Sequence, residues 1–197
     1  MIILTSLADP QLTDLFQKGA VGVLPTDTIY GLVTPARQAA SVARLYALKD
    51  REQKPGTVIA ASIQQLIDLG LDAAILAQLA HLWPNPISVV VPAPESLDYL
   101  DQNVGSLAVR IPKDPALQAL LLLTGPLVTT SANHPGQTPA GNVGEAQDYF
   151  NGAVDFYVDG GDRNNRPPST VVRLESDGGL KTLRPGAVTL DENGRII

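Results

Sequence analysis

Short β-branched segments alternate with capped helical segments along this chain of 197 residues, and this alternation constrains the fold more than any other feature. Asp9 and Asp114 each precede a proline, which is typical of a helix N-cap and the first helical position. Ser62 and Gln65 have the spacing of a capping box. Strands that alternate with helices predict an α/β domain with an open, twisted mixed sheet. The predicted strands are 21–25, 57–61, 87–91, 107–111, 127–130, 154–158 and 170–174, with a hairpin-like piece at 179–183.

The composition excludes several classes of site. No cysteine is present, which removes disulfides, thiolate nucleophiles and cysteine-type zinc sites. The two histidines, His81 and His134, are too few for a multi-histidine metal centre, and we interpret both as structural. The sequence has no apolar run of membrane-spanning length and no leader, so we expect one cytosolic domain over residues 1–197.

The charge of −6 argues against tight, non-specific binding to nucleic acid, which requires a basic face. A local basic cleft is nevertheless compatible with it. Lysines and arginines cluster around 44–54, 110–113, 163–173 and 181–184. We therefore predict an acidic exterior around a central, positively charged cavity.

The segment 23–32 carries hydroxyl groups directly after a strand. We interpret it as a strand that ends at Pro25 and continues into a turn, where Gly31 lets the backbone approach a ligand. Polar side chains on such a turn are suited to a small polar metabolite. The hydroxyls on the predicted turn are those of Thr26, Thr28 and Tyr30.

Three cations follow one helix-length later. Lys49 is predicted at the C-terminus of helix 39–49, and Arg51 and Lys54 follow it closely. Clustered cations of this kind bind phosphate or carboxylate groups. Because phosphate-loop and dinucleotide-binding glycine patterns are absent, an ATP site would have to be built from separated strand ends and scattered cations.

Four further features have both a functional and a structural explanation. Segment 129–136 is either a polar ligand site or an Asn/Gly turn. Arg110 lies in an apolar strand and either clamps a carboxylate or forms a structural ion pair. Ser169 is either a ligand contact or a strand-start cap, and Arg184 either reaches a phosphate or is solvated.

Seven segments, taken together and in order, resemble the YrdC/TsaC family of threonylcarbamoyl-AMP synthases. They include Pro-Thr-Asp-Thr-Ile-Tyr-Gly-Leu at 25–32 and Lys-x-Arg at 49–51. The matches cover nearly the whole chain, and independent structural causes would not produce this order. The remaining matches are at 83–86, 109–112, 131–133, 169–172 and 183–186.

This resemblance implies an enzyme that combines L-threonine, bicarbonate or CO2, and ATP into threonylcarbamoyl-adenylate and releases pyrophosphate. It implies the short, single-domain form of the family, folded around a central cavity. A threonylcarbamoyl-transferase complex would then act on tRNA reading ANN codons, so that contact of this chain with tRNA is indirect or weak. Mg2+ would arrive with ATP rather than occupy a preformed site.

The resemblance also implies residue roles. The carbamate of threonine is itself the nucleophile, so catalysis would come from alignment and from cations that neutralise developing charge. Lys49 and Arg51 would be the catalytic cations nearest the phosphates. Threonine would be held by Thr28, Arg110 (on the carboxylate), Ser131 and Ser169. ATP would be held by Lys49, Arg51, Ser106, Asn133 and Arg184.

Three departures from the family pattern affect this prediction. Lys54 stands one position away from a usual Asn or Lys contact, and Ala60 stands near a position that is often histidine. The loop 161–168 has the length that the family pattern requires but different residue types. Arg163 or Arg166 would compensate for this difference at the cavity rim.

Two alternative functions stay open at this point. One is an RNA-binding module, against which the net acidity and the lack of aromatic platforms count. The other is a paralogue with a different small-molecule reaction, because a fold does not determine a function.

Overall fold

The computed structural model describes residues 2–50, 53–192 and 194–197. Its strands, in chain order, are β1 (Ile2–Leu4), β2 (Gly22–Pro25), β3 (Tyr30–Pro35), β4 (Thr57–Ile59), β5 (Ile87–Pro92), β6 (Ser106–Arg110), β7 (Leu127–Ser131), β8 (Phe156–Val158), β9 (Thr170–Leu174) and β10 (Leu180–Arg184). Its α-helices are α1 (Gln11–Gln17), α2 (Ala39–Leu48), α3 (Ile63–Leu69), α4 (Ala73–Leu79), α5 (Asp98–Asp101), α6 (Pro115–Thr124) and α7 (Val143–Phe150). Two short 3-10 helices, Ala80–Leu82 and Glu95–Leu97, follow α4 and precede α5.

The ten strands form one mixed sheet in the order β1-β8-β2-β3-β7-β4-β6-β5-β9-β10. Strands β1 and β2 both pair in parallel with β8, and the pairs β4–β6 and β5–β9 are also parallel. The remaining neighbours are antiparallel. The predicted α/β class with a mixed sheet is therefore confirmed.

Helices cover the two faces of the sheet unequally. The larger core cluster packs α2 to α5 and α7 against one face, whereas α1 and α6 cover part of the other. Because neighbouring side chains on a strand point to opposite faces, Leu107 and Val109 of β6 enter the larger core. Ser106, Ala108 and Arg110 of the same strand face the part of the sheet that none of the described helices covers, and they line a cavity there.

Two predicted helix starts are confirmed by their side-chain caps, but the predicted Asp9 cap is wrong by one residue. Helix α1 begins at Gln11 with Pro10 as its N-cap, and Asp9 Oδ1 accepts from Gln11 N at the start of the helix. The Asp114 side chain accepts a hydrogen bond from Leu117 N at 3.0 Å, as a cap with proline at the first helical position requires. Ser62 Oγ likewise accepts from Gln65 N, but the Gln65 side chain accepts from Ala61 N, so only half of the predicted capping box forms.

The turn predicted to carry Thr26, Thr28 and Tyr30 is confirmed for the two threonines and wrong for Tyr30. The chain turns between Thr26 and Ile29, whose carbonyl accepts from Thr26 N, and β3 then begins at Tyr30. The Tyr30 hydroxyl is held by the backbone of 160–161 in place of a ligand. The strand was missed because the hydroxyl of Tyr30 continues the spacing of Thr26 and Thr28 in the turn, and because the pairing of β3 with β2 and β7 is not visible in the sequence.

Two shorter elements, β1 and α5, were also missed, since three or four residues give no usable periodicity. Across residues 2–50, 53–192 and 194–197, no helix is long and apolar enough to cross a membrane. The single domain and the cytosolic location stay predictions.

Candidate functional site

A cavity of about 340 Å3 lies on the uncovered part of the sheet. Its floor is formed by β5, β6 and β9, and its wall includes the ends of β3 and β7. The cavity brings together residues that are far apart in the chain, including six of those predicted for the site. These six are Thr28, Ser106, Arg110, Ser131, Ser169 and Arg184.

Thr28 occupies the tight turn between β2 and β3 and is buried. Thr26 Oγ1 donates to Ile29 O at 2.7 Å, so its single proton is used. The 3.1 Å contact between Thr26 Oγ1 and Thr28 Oγ1 is therefore donated by Thr28. The Thr28 oxygen keeps its lone pairs and faces the cavity as a hydrogen-bond acceptor.

Arg110 ends β6 and is only 4% exposed. Its Nη2 lies 3.2 Å from Asp27 Oδ1 in a buried ion pair, and Nη1 donates to Ser88 Oγ at 3.1 Å. Burial lowers the pKa of Arg110 while the Asp27 carboxylate opposes that shift, and the side chain stays charged. The predicted structural ion pair is thus present, on a side chain that also lines the cavity.

One donor of this guanidinium has no partner among the residues that the structure describes. Within the described residues, Arg110 Nε is buried and makes no hydrogen bond. A buried unsatisfied donor costs free energy unless a ligand or water supplies an acceptor. Nε itself is enclosed by protein, and it is the cationic guanidinium as a whole, on a residue that lines the cavity, that favours a carboxylate beside it.

Ser169 and Arg184 meet where β9 begins and β10 ends. Arg184 Nη2 donates to Ser169 O at 2.8 Å and to Ser169 Oγ at 3.2 Å. Ser169 Oγ also lies 3.1 Å from Ser88 Oγ, on the fully buried Ser88 of β5. Sequence reasoning missed Ser88 and Asp27, although a lone serine within an apolar strand is a signal of a buried polar contact.

Lys49 follows α2, as predicted, but its side chain is enclosed by the turn after β7. Its Nζ donates to Ser131 O at 2.8 Å, to Asn133 Oδ1 at 2.9 Å, and to Asn133 O. Ser131 Oγ donates to Asn133 Oδ1 at 2.6 Å, while Asn133 Nδ2 donates to Gln137 O. Lys49 and Asn133 therefore lie behind Ser131 and do not line the cavity.

Two glycines allow backbone segments to approach closely at this site. A Cβ at Gly31 would lie 2.4 Å from Thr129 Oγ1 on the neighbouring strand. A Cβ at Gly186 would lie 2.3 Å from Pro168 O and 2.6 Å from Ser169 O. Only a residue without a side chain fits between these groups, so Gly186 holds the chain after Arg184 against the start of β9.

Three other positions that the sequence analysis singled out are not part of the described cavity lining. Arg51 lies outside the described residues, so its predicted role is not addressed by the structure. Lys54 N donates to Gln102 Oε1 at 2.8 Å, and Lys54 is exposed outside the cavity lining, although Pro55 and Gly56 line it. Ala60 is part of the core.

The loop 161–168 contributes Pro168 to the cavity lining and supports the site through Arg163. Arg163 Nη1 donates to Thr26 O at 2.6 Å and so holds the turn that carries Thr28. Arg163 and Arg166 are not among the cavity-lining residues, and the proposed compensation at the rim is not seen. His134 is exposed and packs its ring edge-on against Tyr149.

The described lining contains three arginines, Arg110, Arg173 and Arg184, and no Asp or Glu. Sequence reasoning missed Arg173, which the alternation of β9 places on the floor. The overall positive charge of the cavity stays a prediction, because Arg110 is paired with Asp27. Among the described residues, no group of three or more His, Asp or Glu could hold a metal ion.

Known proteins match this chain over most of its length. A family model for Sua5, YciO and YrdC proteins, described as telomere recombination, matches residues 14–186. The threonylcarbamoyl-AMP synthase of Pseudomonas aeruginosa (strain UCBPP-PA14) is 36% identical over 159 residues, which cover 79% of this chain and 86% of that protein.

Solved structures share the fold. The crystal structure of P. abyssi Sua5 complexed with L-threonine matches with a TM-score of 0.84 and 25% identity over 96% of this chain, which spans 59% of that longer chain. E. coli YciO matches with a TM-score of 0.80 and 21% identity, over 98% of this chain and 97% of YciO. The resemblance found in the sequence motifs is confirmed. The chain belongs to the Sua5/YciO/YrdC family.

Proposed function

We propose that this chain is an L-threonylcarbamoyladenylate synthase. Such a nucleotidyltransferase converts L-threonine, bicarbonate or CO2, and ATP into threonylcarbamoyl-AMP and pyrophosphate. The observation that carries the proposal is a single cavity that is lined by the cationic side chain of Arg110 together with the acceptors of Thr28 and Ser131. The 36% identity to a protein named threonylcarbamoyl-AMP synthase supports the same reaction.

Threonine is a zwitterion, and the cavity offers both kinds of partner that it needs. Its carboxylate requires donors, which Arg110 supplies. Its amino group requires acceptors, which Thr28 and Ser131 supply because their own protons are bound to Thr26 and Asn133. A pocket of about 340 Å3 is in the usual size range for small-molecule sites.

ATP would occupy the side of the cavity near Ser106, Arg173 and Arg184. Lys49 would contribute by fixing the Ser131 end of β7, since contact of its ammonium with a phosphate requires it to leave one of three protein acceptors. The roles of Arg51 and Asn133 toward the phosphates stay predictions.

No protein nucleophile is needed, because the threonine carbamate attacks the α-phosphorus and pyrophosphate leaves. The chain's contribution is alignment of the two substrates and stabilisation of charge by fixed cations. Mg2+ would enter bound to the phosphates of ATP, since no described cluster of carboxylates and histidines offers a preformed site. The residue roles above do not depend on it.

The product would be consumed by a threonylcarbamoyl-transferase complex that modifies tRNA reading ANN codons in the cytoplasm. A net charge of −6 supports indirect or weak contact with tRNA. These partners follow from the family of the chain and from the proposed reaction.

The test is pyrophosphate release by the purified protein with ATP and bicarbonate, with and without L-threonine. We expect pyrophosphate release that depends on threonine. L-valine, which lacks the hydroxyl, serves as the control amino acid. Folded protein that releases no threonine-dependent pyrophosphate would reject the synthase. Tight tRNA binding by such an inactive protein would favour the RNA-binding alternative.

A further inference from the structure

Ser88 is a fully buried residue of β5 whose side chain connects two cavity residues. Its Oγ lies 3.1 Å from Arg110 Nη1 on one side and 3.1 Å from Ser169 Oγ on the other. Ser88 does not line the cavity itself. Any effect of Ser88 on a ligand is therefore transmitted through the two residues that it contacts.

The direction of these hydrogen bonds follows from the chemistry of the groups. A guanidinium has donors only, so Ser88 Oγ accepts from Arg110. In the described part of the chain, Ser169 Oγ is the one acceptor within reach of the Ser88 proton. Since a buried hydroxyl proton without an acceptor is costly, Ser88 donates to Ser169.

Ser169 consequently receives two hydrogen bonds. Ser88 donates from below, and Arg184 Nη2 donates at 3.2 Å. Both contacts occupy lone pairs of Ser169 Oγ, which leaves its own proton as the group that faces the cavity. Ser169 is 5% exposed and lines the cavity, so that proton is available to a ligand there.

We propose that Ser88 is a positioning residue that makes the Ser169 hydroxyl a fixed hydrogen-bond donor toward an anionic group in the cavity. The inference rests on the proposed function, under which this group is the threonine carboxylate next to Arg110. A hydroxyl that is already oriented loses no rotational freedom when the ligand binds, which favours affinity. Ser169 and Arg110 then donate to the carboxylate, opposite the acceptors Thr28 and Ser131.

The test compares steady-state kinetics of Ser88→Ala, Ser88→Thr and the wild-type protein. For Ser88→Ala we expect KM for threonine to rise about ten-fold, with KM for ATP and kcat within about two-fold. Ser88→Thr keeps the hydroxyl and restores most of the affinity. Thr34→Val is the control, because it removes another buried hydroxyl, bound to Ala20 O, away from the cavity.

A double substitution tests the route through Ser169. In a Ser169→Ala background, Ser88→Ala should add little further increase in KM for threonine, because the proton that it orients is gone. An equal increase in both backgrounds, or an unchanged KM in Ser88→Ala with an active wild type, would overturn the inference alone. A wild type without threonine-dependent pyrophosphate overturns the proposed function instead.

Discussion

Separating the two uses of Arg110 gives the sharpest stability prediction. Both side chains of the Asp27–Arg110 pair are 5% exposed, so neither charge is well solvated. Replacing one partner leaves the other buried without its counter-charge, which costs about 3–5 kcal/mol. We expect Asp27→Asn and Arg110→Met each to lose about 3 kcal/mol of unfolding free energy. This is the low end of the range, because Asn preserves the shape of Asp and Met preserves most of the volume of Arg.

The double variant removes both charges together. We expect its loss to be about 2 kcal/mol or more smaller than the sum of the two single losses, since no unpaired charge remains. The measurement is guanidinium chloride unfolding followed by fluorescence of Trp83, the single, buried tryptophan. Additivity within about 0.5 kcal/mol would refute the buried pair.

Activity distinguishes the ligand role from the structural one. The double variant regains stability but still lacks the hydrogen-bond donors of Arg110. Its KM for threonine should therefore stay about ten-fold above that of the wild type. Recovery of wild-type KM together with stability would show that Arg110 acts only as a structural partner of Asp27.

Two predictions concern other parts of the structure. Gly186→Ala places a Cβ against Pro168 O, so we expect a loss of about 1–3 kcal/mol of unfolding free energy in chemical denaturation, and wild-type stability would contradict the close approach. Burial alone would raise the pKa of Asp155, but hydrogen bonds from Arg44 and Val21 N lower it below its ordinary value. That stabilisation is present above the unfolded-state pKa of about 3.9 and is lost as pH falls through the lower folded-state pKa. Denaturation between pH 7 and pH 2 should therefore show wild type losing its advantage over Asp155→Asn in acid, and parallel curves would refute the linkage.

Local signals predicted most of the fold. The caps at Ser62 and Asp114 act within three residues, and the buried strands are β-branched, so both are readable from short windows. Strand β3 was missed because it is stabilised by pairing with β2 on one edge and β7 on the other, and both partners are distant from a short sequence window.

The sequence predicted which residues belong to the site better than it predicted the contacts between them. The motifs and the residue roles implied by the family resemblance identified six of the side chains that line the cavity. They did not show that Asp27 pairs with Arg110, or that Ser88 contacts Ser169, since these partners are 83 and 81 positions apart. Lys49 was expected next to phosphates, and only the three-dimensional arrangement reveals that its donors are occupied by the Ser131–Asn133 turn.

The uncovered floor of the sheet has a consequence for how this fold can diversify. Adjacent positions on each floor strand belong to different environments, one to the cavity and one to the core. Substitution of a floor residue changes the shape offered to a ligand and leaves the core residue beside it in place. New substrate preferences are therefore accessible by point substitution at little cost in stability, and a library directed at a changed amino-acid substrate would start from three small floor residues. These are Val90, Ala108 and Val171, whose chain neighbours Val89, Val109 and Val172 lie in the core.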